Sequence, residues 1–343
     1  MKILALGGGG FIGSHLVDRL CRSTQHVLTS FDRTHDKLIE ADPPRERLTI
    51  LDGDLRKSGS RVRDLVREAD LVIDLIAYAT PSMYVANPLE VVDLNYNANL
   101  EVVTACAEAG KHLIQFSSCE VYGPTLGRQE PFSEDQSALI MGPIRESRWI
   151  YATAKQLLER VVHAYATAGQ LTYTIIRPFN FLGPRFDYLP PPGSTGGPRV
   201  FAHFMSALLS GGPMQLVDGG EAQRTYTDIR DAVAGICIAI DGATGQFRNQ
   251  IVNVGYPGNE TTIRNLAHEM CAAYEELVGR KAVSEIVSVP GEKFYGPGYA
   301  DCDRRIPDAT KLLSAGWVPR YKLRETLRYA MGYYVAEKVE VKK

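Results

Sequence analysis

The sequence predicts an α/β chain: a doubly wound parallel sheet followed by a smaller, C-terminal α/β lobe. Three observations carry this. Short runs rich in Val, Ile and Leu, at Lys2 to Leu6, Val27 to Phe31, Leu48 to Leu51, Leu71 to Leu75, His112 to Phe116 and Thr172 to Arg177, alternate with helical patterns. Strands apolar along their whole length belong to a sheet covered on both faces. The first run leads directly into Gly7-Gly8-Gly9-Gly10-Phe11-Ile12-Gly13 and a helical pattern from Ser14 to Leu20. Past residue 178 the alternation gives way to a Pro/Gly-rich stretch and mixed short elements.

Gly7, Gly10 and Gly13 form G-x-x-G-x-x-G. Glycines at this spacing let the chain turn tightly, let its backbone approach a pyrophosphate, and let the helix sit close on the strand. A glycine triplet alone is weak. Here it follows a strand, opens a helix, and is followed by a second strand ending in Asp32, which is the context of a Rossmann-type dinucleotide site. Asp32 can accept both ribose hydroxyls of NAD and would repel the extra phosphate of NADP. Arg33 beside it could instead hold that phosphate, so the expectation of NAD rests on Asp32. Asp54-Leu55, after the third strand, sits where an adenine edge could be met.

Ligands in such sheets gather beyond the carboxyl ends of the strands. The fourth strand runs into Ile76-Ala77-Tyr78-Ala79-Thr80-Pro81, and one long helix is predicted over Leu89 to Ala109. The fifth ends in Ser117-Ser118-Cys119-Glu120, and the sixth leads into Pro178-Phe179-Asn180. Between them lies a helix, Trp149 to Arg160, with Ile150, Ala154, Leu157, Leu158 and Val161 as its apolar stripe. It places Tyr151 and Lys155 on one face. An ammonium beside a phenol favours the phenolate, so the pair is a candidate acid/base device with a lowered tyrosine pKa. An amphipathic surface helix is the competing reading of these two residues taken alone. The Pro/Gly stretch Gly183 to Arg199 reads as a functional lid or a disordered loop. The remainder mixes short helices and strands, at Val200 to Leu209 and Ile229 to Ile240, with a strand at Ile251 to Val254 and a helix from Thr262 to Leu277. The division read from this is a dinucleotide-binding domain over 1–178, to which elements near 229–255 return, and a substrate lobe over 179–343.

With 343 residues, 45% of them hydrophobic and 23% charged, and a net charge of -2, the composition is that of a globular protein. It gives no electrostatic reason for a nucleic acid partner. No apolar run is long enough to cross a bilayer, and the N-terminus carries no leader pattern, so a cytoplasmic location and no membrane partner are expected. The six cysteines show no metal spacing, so reduced thiols and no bound metal are expected.

The glycine motif, the Ser/Ser strand end and the Tyr-x-x-x-Lys helix together resemble the extended short-chain dehydrogenase/reductase superfamily, over essentially the whole chain. Within it, several stretches are similar to enzymes acting on UDP-glucuronic acid: Phe116 to Gly123, Arg148 to Tyr151, Arg177 to Asn180, Gly183 to Arg185, Leu216 to Arg224 and Phe294 to Tyr299. Two families compete, the UDP-apiose/UDP-xylose synthases and the UDP-glucuronic acid decarboxylases of the aminoarabinose lipid A pathway. Cys119-Glu120, the lid ending in Pro198-Arg199-Val200, and Asp303 to Asp308 look closer to the synthases. Some sugar dehydratases also carry Cys-Glu at this strand end.

Carried over by position, the resemblance implies that Gly7, Gly10, Phe11, Ile12, Gly13, Asp32, Asp54, Leu55, Ile76 and Pro178 contact NAD, with Tyr151 and Lys155 at the nicotinamide ribose. It implies Arg185, Arg199 and Arg224 as uridine and diphosphate contacts, and Tyr84, Asn180 and Tyr299 on the sugar side. Tyr151, Lys155, Ser118, Cys119, Glu120 and Arg305 are the implied catalytic set. The expected reaction is oxidation of UDP-glucuronic acid at carbon 4, loss of carbon dioxide, ring contraction and re-reduction, with Cys119 moving protons and Arg305 and Glu120 steering the decarboxylation. A decarboxylase without ring contraction, a nucleotide-sugar dehydratase and a non-catalytic sensor of NAD or sugar nucleotides are the alternatives. A homodimer is expected by analogy.

Overall fold

The computed structural model describes residues 1–297 and 299–340, with side chains through residue 336. The chain begins β1 (Lys2–Leu6), α1 (Phe11–Ser23), β2 (Val27–Asp32), α2 (Asp36–Ala41), β3 (Leu48–Asp52), α3 (Gly59–Glu68) and β4 (Leu71–Asp74). It continues through α4 (Pro81–Ala86), α5 (Pro88–Val92), a π-helical turn (Asp93–Ala98), α6 (Asn99–Glu108), β5 (His112–Phe116), α7 (Ile150–Thr167), β6 (Thr172–Pro178) and β7 (Asn180–Leu182). The second half holds α8 (Val200–Ser210), β8 (Met214–Val217), β9 (Gln223–Asp228), α9 (Ile229–Asp241), β10 (Gln250–Val254), β11 (Glu260–Thr262) and α10 (Ile263–Val278). It closes with β12 (Ile286–Val289), α11 (Gly291–Tyr295), β13 (Arg304–Arg305), α12 (Thr310–Ser314) and α13 (Leu323–Glu340).

Seven parallel strands form the main sheet in the order β10-β6-β5-β4-β1-β2-β3. The predicted doubly wound sheet is therefore present. The strand order reverses between β1 and β4, and a crevice opens at the carboxyl ends of strands about such a reversal. Apolar runs line both faces: Leu4, Leu6, Val72, Leu113 and Ile175 belong to one buried cluster, and Ile3, Ala5, Ile73, Ile114 and Ile176 to the other. That alternation is why these strands lack a polar face.

A second sheet, β11-β9-β13 with β7 on β9, stands over the carboxyl ends of β5 and β6, because β7 follows β6 after a single residue. β8 and β12 pair in parallel beside it.

Two sequence expectations need correction. The single helix predicted over Leu89 to Ala109 is instead α5, the π-turn and α6. The turn sits where Asn95 bonds both the N–H and the carbonyl of Tyr78, and Asn99 bonds the Ile76 carbonyl, so the helix widens to tie down the loop after β4. In α7, Leu157 is 44% exposed while Tyr151, Ala152, Lys155 and Glu159 are buried. Of the predicted stripe, Ala154 and Leu158 are buried and only Leu157 is exposed, so the buried face of α7 takes in the polar pair beside part of that stripe.

Candidate active site

The first turn after β1 leaves no room for side chains. A Cβ on Gly13 would lie 2.2 Å from the Gly7 carbonyl oxygen and one on Gly7 3.1 Å from the Ile76 nitrogen, while Gly7 itself has φ +85. At Gly10, by contrast, the nearest atom is 3.4 Å away, and this residue opens α1 without any side-chain cap. The result is a close-packed backbone cradle beneath the free N–H groups of a 13-residue helix, suited to a diphosphate.

Two adjoining cavities share Gly7 and Gly10. One runs along Asp32, Arg33, Asp54, Leu55, Ile76 and Tyr78; the other along Phe11, Ile12, Gly13, Lys37, Tyr151, Lys155, Pro178, Asp187 and Arg199. Asp32 is fixed by the N–H groups of Gly9 (3.0 Å) and Arg33 (2.7 Å). Asp54 caps the turn at Leu55–Lys57 and pairs with Arg56 at 2.9 Å, which holds its carboxyl below the usual range. A trough with carboxylates at one end, glycine backbone in the middle and Tyr151 at the other fits a dinucleotide such as NAD.

At the Tyr151 end the expected electrostatics are reversed. Burial pushes the Tyr151 phenol well above its ordinary value, the Glu120 charge adds to this, and a hydrogen bond with the Ser118 hydroxyl only tempers it. Lys155 donates to the Phe116 carbonyl at 2.9 Å. Burial brings this amine down to about 8, against the pull of Asp74 and Glu159. Tyr151 is therefore a neutral phenol, because burial disfavours the phenolate more than the Ser118 bond and the Arg148 charge favour it. Tyr84 is buried and stacks flat on Tyr151, with ring centroids 4.5 Å apart at 7°, beneath the Arg148 guanidinium. It backs the phenol ring.

A third cavity, on the second-sheet side, is lined by Glu120, Arg148, Asn180, Arg199, Arg224, Tyr299, Asp301 and Arg305. Arg148 grips both oxygens of Glu120, one at 2.8 Å, and Arg305 Nη1 stands 3.6 Å from the same carboxylate. Burial pushes Glu120 up, but the two guanidinium groups more than offset it and hold the carboxyl below its ordinary value. Arg305 is buried, and its Nε and Nη2 have no hydrogen-bond partner among the described residues. Such orphaned donors mark a place for an acceptor. Arg224 pairs with Asp301 at 2.7 Å, Asn180 donates to the Thr225 carbonyl at 3.2 Å, and Tyr299 stacks on Tyr295 at 4.2 Å. Arg199 is held by both oxygens of Asp187, lies 3.7 Å over the Phe186 ring, and lines both this cavity and the Tyr151 cavity.

Two residues depart from their expected setting. Cys119 is buried, and burial pushes its thiol up to about 11 despite Arg305, so it is a neutral thiol near pH 7. Arg185 has φ 59 and turns to His15 of α1, 3.2 Å from its ring. Burial and that guanidinium bring His15 down to about 4.

The sequence reading missed Arg148, Asp301 and Asp74. Arg148 was detectable, since three residues before Tyr151 is the same face of a helical stretch. Asp301 reaches the site through the pairing of β13 with β9, for which two residues give no sequence signal. Among the described residues no cluster of His, Cys, Asp and Glu could hold a metal, all six cysteines are free, and no helix is long and apolar enough to cross a membrane.

A parallel sheet with a glycine cradle, a Tyr-x-x-x-Lys helix and an arginine-rich cavity beside them defines a dinucleotide-dependent enzyme class, and the chain belongs to the NAD dependent epimerase/dehydratase family, which residues 3–255 match. It is 41% identical to the UDP-D-apiose/UDP-D-xylose synthase of Oryza sativa subsp. japonica over 97% of this chain and 89% of the relative. UDP-D-apiose/UDP-D-xylose synthase 2 of Arabidopsis thaliana is also 41% identical, over 97% and 91%. Among solved structures, the PbgP3 protein from Burkholderia pseudomallei shares 31% identity with a TM-score of 0.86, covering 99% of this chain and 98% of that one. The UDP-glucuronic acid 4-epimerase from Bacillus cereus, in complex with UDP-glucuronic acid and NAD, superposes with a TM-score of 0.80 at 21% identity, over 98% and 100%, and at that identity the likeness is one of fold.

Proposed function

We propose that this chain converts UDP-glucuronic acid to UDP-apiose and UDP-xylose, with NAD as a retained cofactor. The relatives' names support the sugar nucleotide, and the observation that carries the uronic acid is Arg305. Its buried guanidinium beside Glu120 has two unpartnered nitrogens in a cavity wall, the arrangement that a sugar carboxylate would complete.

In this reading the glycine cradle, Asp32 and Asp54 hold NAD, which supplies a cationic ring able to accept a hydride and return it. Tyr151 takes the proton of the 4-hydroxyl and later gives it back; positive charge gathered beside it is what brings the phenol into range. Lys155 orients that end of the trough from its bond to Phe116. A ketone at carbon 4 is beta to the carboxylate, so the carbon–carbon bond to the carboxyl breaks with its electrons delocalised into an enolate. Arg305 and Arg148 orient the departing carboxylate, while Glu120 keeps the two arginines apart and their charge balanced. Cys119, a neutral thiol at the strand end, is the proton donor for the ring-opening and re-closure that separate apiose from xylose. Arg199 and Arg224 meet the diphosphate, Asn180 and Tyr299 bound the sugar, and Tyr84 holds the Tyr151 ring.

The two lobes of this reading are residues 1–178, to which elements near 229–255 return, as the pairing of β10 with β6 supports, and residues 179–343. A homodimer through α6 and α7 belongs to it, supported by the exposed Leu157 on α7. A cytoplasmic setting is supported by the free cysteines.

The test is product analysis. The chain given UDP-glucuronic acid and a trace of NAD releases carbon dioxide and forms a branched pentose together with xylose, both identified by NMR. Formation of UDP-xylose or a 4-keto pentose alone contradicts the ring contraction and leaves a decarboxylase. An intact uronic acid epimerised at carbon 4 contradicts the whole reading.

A further inference from the structure

Strands β4 and β5 meet in register at Asp74 and Gln115. Asp74 is fully buried; its Oδ1 accepts from the Ile76 N–H at 3.1 Å and its Oδ2 from Gln115 Nε2 at 3.3 Å. The same Gln115 nitrogen donates to the Phe116 carbonyl at 3.4 Å, and that carbonyl accepts from Lys155 Nζ at 2.9 Å. A run of hydrogen bonds thus joins a carboxylate at the tip of a central strand to the amine one helical turn from Tyr151.

Lys155 is itself buried, and no carboxylate among the described residues reaches ion-pair distance of it. A buried ammonium needs a counter-charge. Asp74 and then Glu159 act on it through space. Glu159, on α7 itself, is committed to Arg177 of β6 at 2.6 Å, and Glu120, after β5, to Arg148 and Arg305. The Cys106 thiol of α6, which feels the Asp74 charge, is pushed far up by burial, and Tyr151 is a neutral phenol. Asp74, hydrogen-bonded only to neutral donors, is paired with no other cation among the described residues.

We propose that Asp74 is a positioning residue for the reaction: through Gln115 and the Phe116 carbonyl it fixes Lys155 one turn from Tyr151, and it supplies that lysine's counter-charge. The inference rests on the reading of Tyr151 and Lys155 given above. Burial pushes Asp74 up to about 6, restrained first by Lys155, and Lys155 down to about 8, restrained first by Asp74. Asp74 is charged above the first value and Lys155 below the second, so both charges coexist between them, in the neutral range.

Asp74→Asn keeps the shape, but its amide nitrogen replaces the oxygen that faces Gln115, whose side chain must turn over to accept from it and so leaves the Phe116 carbonyl; this variant removes the charge and the connection together. With the NAD-loaded enzyme and UDP-glucuronic acid, kcat and KM are followed against pH. Separately, the Lys155 ε-carbon is titrated by 13C NMR, with Lys155→Met to assign the resonance. In Asp74→Asn kcat falls, and its alkaline limb and the NMR midpoint both move down by about one pH unit while KM holds. Gln115→Met, which cuts the connection but keeps the charge, lowers kcat with little change in that midpoint. Superimposed limbs and midpoints for wild type and Asp74→Asn overturn the counter-charge; an unchanged kcat in Gln115→Met overturns the positioning. Failure of the underlying reading is separately visible, as wild-type turnover in Lys155→Met.

Discussion

At the scale of single residues, the buried groups of the candidate site have a charge set by burial and corrected by the charges beside them. Glu120 stays ionised inside the protein only because Arg148 and Arg305 bracket it. Replacing it by Gln leaves two buried guanidinium groups without their anion, at a cost of about 3 kcal/mol. Thermal melting of Glu120→Gln therefore falls below wild type at neutral pH. The sign of the pH dependence follows from the lowered carboxyl: its contribution is complete above about pH 5 and is lost as the pH falls through the lowered value. The gap between the two melting curves closes in acid. A gap constant with pH would show that Glu120 does not act through its charge. Cys119, buried and raised to about 11, predicts a different outcome. Cys119→Ser, similar in shape but a weaker acid, shifts products from apiose towards xylose with substrate consumption largely retained, a ratio read by NMR. Tyr151→Phe abolishes turnover while NAD still binds, which calorimetry checks.

At the scale of elements, the glycine turn and α7 were legible in the sequence because each is a local pattern: glycines spaced for a backbone turn, and a Tyr and Lys four apart on a helix. The π-turn was not, since Asn95 and Asn99 read as ordinary helix residues until the Tyr78 and Ile76 backbone they bond is in place. The orientation of α7 was misread at Leu157 because polar Lys155 and Glu159 are buried by partners in other strands, Phe116 and Arg177. The turn itself makes a firm prediction. A Cβ at Gly13 meets the Gly7 carbonyl at 2.2 Å and Gly8 Cα at 2.7 Å, backbone atoms that cannot step aside. Gly13→Ala costs on the order of 1–3 kcal/mol of stability, and NAD affinity falls with it; unchanged affinity by titration would mean the cradle has another role.

At the scale of the whole molecule, the seven-stranded sheet was readable strand by strand, whereas the second sheet was not, because β7, β11 and β13 have two or three residues each and exist only by pairing with β9. That sheet delivers Arg224 and Arg305, while Asp301 precedes β13, so these three residues reach the arginine-rich cavity only through tertiary context. Arg199, held by Asp187, is shared by the Tyr151 cavity and the arginine-rich one. Its loss in Arg199→Ala raises KM for the sugar nucleotide and also speeds NAD release, a pairing that a residue serving one cavity would not produce. Leu157→Glu, on the exposed face of α7, separates the expected dimer without unfolding it, as light scattering would register.

The central claim is that oxidation and reduction occur on one sugar while its carboxyl is lost. UDP-glucuronic acid carrying deuterium at carbon 4 tests it directly, by mass spectrometry of the pentose formed with substoichiometric NAD. The account predicts products one carbon shorter that keep the deuterium, with no reduced cofactor accumulating. Deuterium lost to the cofactor pool, or a labelled product still holding all six carbons, would contradict it.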